Sequence, residues 1–366
     1  MALLAFGPSV RAEEAVADGV GRSAKKQAGS LAADFLRKHE APGLSVAYAR
    51  RGRMIYVATF GASDAETGEP LRTDQMFRIA SVSKPITATA VMLLVERGRI
   101  RLEDKVFGAG GLLDARVPVP SAAPSPVWLE EITVDHLLTH TAGGWPNDGA
   151  DPMFRFRGLD QDRLIRVTLE TRLLKARPGS GYAYSNFGYC LLGRVIEEVS
   201  GEGYEPFVIA NVLAPCGAGA MRVGANSPAP TGSDEVRYAS NGRFDPYSLN
   251  VRRMDAHGGW IGTASDLVRF IAGVDGYSSV ADILRPETIE LMSERRTESY
   301  ARGWQVNPNH RNRWHNGLMP GTASIAVRID GDSCFAGLVN ARGLADDSIV
   351  GDLDRLMWDI YGAVMG

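Results

Sequence analysis

The stretch 77-FRIASVSKPITATAVMLLVERG-98 places Ser81 three residues before Lys84 at the head of a long apolar run. If a helix begins just after Ser81, then Val82, Ser83, Lys84 and Pro85 occupy its first turn. Pro85 costs no hydrogen bond there, because the first four N–H groups of a helix have no partner within it. The spacing puts Ser81 and Lys84 on neighbouring surface, and the helix N-terminus favours negative charge on a serine oxygen. Ile86, Val91, Leu93, Leu94 and Val95 are apolar on several sides, which predicts a buried helix. A lysine buried with it holds its proton less tightly and becomes able to take one from serine. Taken alone, however, the pair is better read as an N-cap serine and a solvated first-turn lysine.

Outward from this helix, the chain alternates clear elements with irregular ones. Arg22 to Lys38 carries Leu31, Phe35 and Leu36 among polar residues and predicts an amphipathic helix. Leu44–Ala49 and Met54–Phe60 are strand-like runs joined by Arg-Arg-Gly-Arg, an antiparallel hairpin. After the buried helix, residues 101–128 are rich in Gly, Pro, Ala and Ser and predict a surface connection. The segment 132-ITVDHLLTHTAGG-144 predicts a short helix ending at Gly143-Gly144, and Arg163 to Lys175 a second one. In 187-FGYCLLGRVIEEVSG-201, Tyr189, Leu192, Val195, Ile196 and Val199 share a helical face. Pro215 to Gly259 reads as extended loops able to rim a pocket, and Thr263 or Ser265 as the cap of the next helix. The runs 322-TASIAVRID-330 and 333-SCFAGLVNA-341 flank Gly331-Asp332, a hairpin turn signal, and Asp346 to Val364 reads as a last helix. A hairpin, many helices, then a hairpin and a helix predict an α+β fold whose sheet is assembled from both chain ends.

The 366 residues suffice for a substantial core, and 40 Lys+Arg against 43 Asp+Glu leave a net charge of -3. No general basic field therefore points to nucleic acid or an anionic membrane, and a small molecule or peptide is the expected partner. Cys190, Cys216 and Cys334 are odd in number and lack C-x-x-C spacing, which disfavours a disulfide framework or a structural zinc site. No apolar run is long enough to span a membrane, so stable membrane insertion is not expected. The start, 1-MALLAFGPSVRAEEAV-16, has a short apolar part and a small-residue pattern at Val10-Arg11-Ala12 but no basic n-region. It reads as a weak or truncated export signal or a frayed terminus.

Two later motifs give Ser81 and Lys84 their context. Tyr184-x-Asn186 stands immediately before a helix, and His315-x-Gly317 at the start of a strand. In this order, S-x-x-K, Y-x-N and a third triplet closing on glycine, the sequence resembles the serine β-lactamase and penicillin-binding-protein-like superfamily, in its class C β-lactamase-related branch. The segments 136-HLLTHTAGG-144 and 258-GGWIGTASDLVRF-270 belong to the same resemblance, which spans most of the chain.

The resemblance implies an antiparallel sheet flanked by helices, an adjoining mostly helical lobe, and a site in the cleft between them. Residues 1–20 would be a signal or disordered terminus and 21–366 one catalytic domain. Its α/β lobe would come from 21–80 and 255–366, its helical and loop-rich lobe from 81–254. Ser81 would be the acylated nucleophile, with Lys84 and Tyr184 sharing its proton. Asn186 would hold Lys84 and the substrate, and His315, Gly317 and Leu318 would belong to the binding and oxyanion side, the backbone N–H groups of Ser81 and Leu318 forming the oxyanion hole. No metal and no organic cofactor is implied. His315 stands where β-lactamases usually carry lysine. A mostly uncharged histidine suits a β-lactam carboxylate less well than a permanent cation. Esterase, amidase or D-peptidase chemistry on a small ester, amide or peptide is therefore favoured, with a D-alanyl carboxypeptidase or weak β-lactamase as the alternative. A non-catalytic penicillin-binding-like sensor is the rival of another class. Such a protein would be periplasmic or secreted, and otherwise cytoplasmic.

Other residues carry blander readings. Tyr184 and Asn186 could be a loop aromatic and an N-cap, and His315 a turn residue bonded to a carbonyl. His136 and His140 lie four apart on a predicted helix, but the pattern lacks the glutamate of H-E-x-x-H and both are read as structural. Trp145, Trp304 and Trp314 could wall a substrate pocket or simply pack. Arg252, Arg253 and His257 are expected on a solvated loop. No G-x-S-x-G elbow, Walker loop or G-x-G-x-x-G fingerprint is present.

Overall fold

A computed structural model describes residues 12–156, 158–240, 245–307, 311–342 and 348–366. The first hairpin forms as its sequence dictates, with β2 (Gly43–Arg50) antiparallel to β3 (Arg53–Gly61) and Leu44 opposite Phe60. Its two-residue turn, Arg51-Gly52, has φ of 50° and 69°, the double positive geometry that matches strand twist. The second hairpin pairs β9 (Thr322–Ile329) with β10 (Ser333–Val339), and β10 closes on β2, joining the two chain ends in one sheet. β8 (Arg313–Met319) lies on the other side of β9, followed by the short β7 (Gln305–Val306). With β1 (Ala12–Ala17) on the outer side of β3, the seven-stranded antiparallel order is β1-β3-β2-β10-β9-β8-β7.

The outermost strand, β1 (Ala12–Ala17), falls in the stretch expected to be a signal or disordered tail. It pairs with β3. Its side chains are largely exposed, so hydrophobic alternation could not announce it; backbone pairing and the ion pair of Lys25 with Glu14, at 2.7 Å, hold it. Residues 1–11, and with them the apolar start, lie outside the described residues.

Helices Arg22–His39 and Ser348–Met365 pack together on one sheet face. There they bury Leu36, Tyr48, Phe335, Leu353 and Ile360. His39 Nε2 and Asp352 Oδ2 meet at 2.9 Å, linking the first helix to the last. Helix Ala264–Ala272 covers the opposite face. Thr263 caps it, its hydroxyl accepting from the Asp266 N–H while Asp266 accepts from the Thr263 N–H. Helix Ser83–Glu96 is the axis of the second core, with every residue from Ser83 to Leu94 buried. Helix Asn186–Ser200 and the short turns around it pack against it. A small sheet joins the two bodies, with β6 (Trp260–Gly262) between β4 (Phe77–Arg78) and β5 (Arg222–Val223).

Two helices end earlier than their sequence suggests. The Val134–Leu138 helix stops before His140, whose φ is 59°. His136 and His140 therefore do not share a helical face; His136 Nδ1 accepts from the Thr133 N–H in a capping box, and His140 turns inward. The second predicted helix spans Gln161–Thr171, because Arg172 is extended. Pro215 to Gly259 contains β5, a tight turn at Arg252–Met254 and a helical turn at Asp255–Gly258. Arg253 and His257 are buried rather than solvated; only Arg252 is exposed.

Candidate active site

Ser81 sits where β4 passes through a tight turn, Ala80–Val82, into helix Ser83–Glu96. Ala80 takes a φ of 48°, a conformation that costs an L-residue about 1 kcal/mol and turns the chain sharply just before the serine. Two hydroxyls of β9 fasten this turn to the large sheet: Thr322 Oγ1 donates to the Arg78 carbonyl at 2.8 Å and Ser324 Oγ to the Ile79 carbonyl at 2.7 Å.

Lys84 is fully buried, and its Nζ has three acceptors. Ser81 Oγ lies at 3.1 Å, Asn186 Oδ1 at 2.8 Å and the His257 carbonyl at 2.8 Å. Burial pushes the lysine well below its ordinary pKa. A neutral amine has two N–H bonds and one lone pair. The two carbonyl oxygens can only accept, so they take both N–H bonds and leave the lone pair facing the serine hydroxyl. This is the arrangement that general-base activation of a serine needs.

Asn186 begins its helix, but the cap is Ser185, whose side chain accepts from the Gly188 N–H at 3.0 Å. The asparagine side chain is thereby free to face Lys84. Tyr184 lies with its ring centre 4.7 Å from Lys84 Nζ and 4.2 Å from the His140 ring. Burial pushes its phenol up, and the neighbouring Ser81 pulls the other way. The hydroxyl nonetheless makes no well-directed hydrogen bond, so a buried donor stands beside Ser81.

The third motif divides. Leu318 lines the cleft beside Ser81, whereas His315 and Gly317 do not. Gly317 packs directly against the serine turn. β7 pairs with β8 only at Arg313 and Trp314, so among the described residues the β8 edge from His315 to Met319 carries no further strand. His315 is buried behind it. Its Nδ1 meets the Asn316 carbonyl at 2.7 Å and its Nε2 the Tyr300 hydroxyl at 3.2 Å. A carbonyl only accepts, so Nδ1 carries the proton and Nε2 accepts from Tyr300. Burial, with repulsion from Lys84, lowers its pKa to about 3. The residue is a neutral histidine, not a substitute cation.

Ser81 opens into a cleft of about 340 Å³. Phe154, Leu249, Met254, Leu318 and Met319 give it apolar walls, while Asn147, Asn186 and Arg342 bring polar groups. The tryptophans do not line it: Trp145 packs on Phe187, Trp304 stacks on Phe270 with ring centres 6.4 Å apart, and Trp314 packs against the core beneath the terminal helices. A larger hollow of about 510 Å³ lies by helix Pro286–Ser293, lined by Arg313 and Arg328, and contains no serine–lysine pair. Among the described residues no cluster of three or more His, Cys, Asp or Glu is placed to hold a metal, and no helix is long and apolar enough to cross a membrane.

Two members of the site were not visible in its motifs. One is the His257 carbonyl on Lys84, a backbone group without any side-chain signature. The other is Asp151, 1 % exposed, whose Oδ2 accepts from Asn186 Nδ2 at 2.8 Å. Asp151-Pro152 is a recognisable helix start. The direction of its second carboxylate oxygen is not.

Comparison with known proteins places this geometry among relatives. A family model described as Beta-lactamase matches residues 28–356. Esterase EstB of Burkholderia gladioli is 28% identical over 322 residues, covering 74% of this chain and 76% of its own. Penicillin-binding protein 4* of Bacillus subtilis is 28% identical over 314 residues, covering 80% and 66%. Among solved structures, the D-amino acid amidase from Ochrobactrum anthropi superposes with a TM-score of 0.74 over 93% of this chain and 99% of that one, at 21% identity, a likeness of fold.

Proposed function

Because the chain belongs to the β-lactamase family, we propose that it is a serine hydrolase that forms an acyl-Ser81 intermediate on a carboxylic ester or a small amide or peptide. The observation that carries this reading is the Lys84 amine, buried and held by two carbonyl oxygens so that its lone pair faces Ser81 Oγ. In the proposed sequence Lys84 takes the Ser81 proton as Oγ bonds to the substrate carbonyl carbon. The backbone N–H groups of Ser81 and Leu318 receive the resulting oxyanion. The carbon–leaving-group bond then breaks, and the leaving group collects a proton through Tyr184. Water, deprotonated by the same pair, releases the acid and restores the serine.

Within that class the site favours an ester with an apolar acyl group over a β-lactam. His315 is neutral and buried at the position of the β-lactamase lysine, and the cleft walls are largely apolar, with Arg342 the cationic side chain in their lining. An esterase among its relatives accords with this reading. A purely binding role would have no use for a base aimed at the serine.

Intact-mass measurement after exposure to a fluorophosphonate tests the reading. The parent should gain one adduct that Ser81→Ala does not, and should turn over p-nitrophenyl esters faster than a chromogenic cephalosporin or D-amino-acid amides. A parent that takes no Ser81-dependent adduct and cleaves no activated ester is the binding protein instead.

A further inference from the structure

Asp151 is buried, and both of its oxygens are engaged. Oδ1 accepts from the Met153 N–H at 2.8 Å, capping the turn Pro152–Arg155, and Oδ2 accepts from Asn186 Nδ2 at 2.8 Å. The far end of the same carboxamide, Asn186 Oδ1, accepts from Lys84 Nζ. A carboxamide can rotate by half a turn and exchange its oxygen and nitrogen with little change of shape. With Asp151 ionised, the exchanged orientation would set an amide oxygen against a carboxylate and an NH₂ group against the lysine N–H bonds. Both contacts would be repulsive in a buried site, where unmade hydrogen bonds are costly.

We propose that Asp151 is a positioning residue that locks the Asn186 carboxamide with its oxygen toward Lys84 and so aims the lysine lone pair at Ser81, an inference that rests on the acyl-transfer reading above. The lysine has one other strong anchor, the His257 carbonyl. If Asn186 turns, one N–H bond loses its acceptor and swings toward Ser81 Oγ, which then meets a donor where it needs an acceptor. Protonation of Asp151 removes the lock, because a carboxylic acid can itself donate to an amide oxygen.

The carboxylate also biases Lys84 by charge. Burial raises the Asp151 pKa to about 6, against the opposing pull of Asn186, the Met153 N–H and Lys84. The groups facing it are Lys84 across the Asn186 bridge, Asp148 on its own loop and the Tyr184 phenol. Arg172 donates to the Ala150 carbonyl and Arg253 to the Met153 carbonyl on either side of it. Around Lys84 itself stand the neutral rings of His140, His257 and His315.

The test is steady-state hydrolysis of a p-nitrophenyl ester across pH by the parent, Asp151→Ala and Asp151→Asn, with fluorophosphonate labelling of Ser81 in parallel. Asp151→Ala should lower kcat by roughly 10- to 100-fold, the scale of a misaimed catalytic group, with KM within about threefold. Asp151→Asn keeps an acceptor for Asn186 and should recover part of that loss. Its acid limb should move down by about one pH unit or more, since the amide neither titrates nor holds a proton on Lys84. An Asp151→Asn limb identical to the parent's, or a folded Asp151→Ala within threefold of the parent, overturns the proposal. Should Asp151→Ala fail to fold by near-ultraviolet circular dichroism, the isosteric Asp151→Asn decides by its limb. A parent that does not label at Ser81 defeats the acyl-transfer reading itself. A parent that labels, with variants matching its rate at every pH, defeats only the role of Asp151.

Discussion

Gly317 passes so close to the backbone of Ile79 that a Cβ on it would lie 2.4 Å from the Ile79 carbonyl oxygen and 2.3 Å from Ser324 Oγ. The Ile79 carbonyl is fixed, since it also accepts from the Ser324 hydroxyl. Gly317 therefore sets how near β8 comes to the turn that carries Ser81, and with it the spacing of the Ser81 and Leu318 N–H groups. Gly317→Ala must push strand and turn apart. Overpacking of this kind costs about 1–3 kcal/mol, and the loss of oxyanion geometry should slow acylation by roughly 100-fold. Thermal unfolding and the rate of fluorophosphonate labelling measure the two effects; an alanine variant that labels at the parent rate would show that the strand spacing is irrelevant to the chemistry.

Tyr184→Phe should separate stability from activity. The hydroxyl is buried without a well-directed partner, while the ring packs on His140. Removing an unsatisfied buried hydroxyl relieves a penalty of about 1–3 kcal/mol, and phenylalanine keeps the ring. The variant should melt at or above the parent temperature and lose roughly 10²- to 10⁴-fold in kcat, the usual worth of a proton-transferring group. Unchanged turnover would remove Tyr184 from the proton path.

What the sequence revealed here depends on the range of each interaction. Ser81 and Lys84 are three residues apart, so one helical turn brings them together, and the apolar run after them predicted the buried helix that carries the lysine. The two hairpins were readable because their turns, Arg51-Gly52 and Gly331-Asp332, are local. β1 was not, because an edge strand with exposed side chains has no apolar alternation to display. The burial of Arg253 and His257 escaped a composition that looks like loop. Arg253 donates to the Met153 carbonyl and His257 lends its own carbonyl to Lys84, contacts far apart in the chain. The third motif was expected at the start of a strand, and His315 to Gly317 lie within one, β8. Its histidine could not be oriented from sequence, because alternation along β8 does not say whether a buried ring meets solvent, substrate or Tyr300.

His315 should make the protein acid-sensitive in a way its removal cures. Its pKa is about 3 in the folded state and near 6.5 in an unfolded chain. The unfolded chain therefore binds a proton that the native ring refuses. The stability due to the neutral ring is whole above about pH 6.5 and is lost as pH falls toward 3. Between pH 6.5 and 5 this amounts to about 2 kcal/mol at 1.36 kcal/mol per unit. His315→Gln does not titrate, so the melting temperature of the parent should fall relative to that variant over the same interval. A difference that stays constant with pH would mean that the ring titrates normally in the folded protein.

The Lys84 site depends on a second buried pair that touches no substrate. Arg194, fully buried on helix Asn186–Ser200, donates through Nη2 to Asp255 Oδ2 at 2.7 Å and to Glu197 Oε1 at 3.1 Å. Asp255 opens the helical turn Asp255–Gly258, whose His257 carbonyl accepts from Lys84 and whose Ala256 carbonyl accepts from Thr87 Oγ1 at 2.6 Å. The ion pair thus fixes the loop that supplies one of the lysine's two carbonyl acceptors. Arg194→Met leaves the Asp255 carboxylate buried without its cation, a loss of about 3–5 kcal/mol. Replacing both members, Arg194→Met with Asp255→Leu, removes the stranded charge and should recover most of that stability, since an apolar pair of similar volume can match a buried ion pair. Activity should not recover with it. Without the Arg194–Asp255 anchor the His257 carbonyl is held less firmly, so the double variant should melt near the parent yet label Ser81 more slowly. Urea unfolding and labelling rates on the parent, single and double variants separate the two quantities; a double variant as reactive as the parent would show that Thr87 and the surrounding packing alone hold the His257 carbonyl in place.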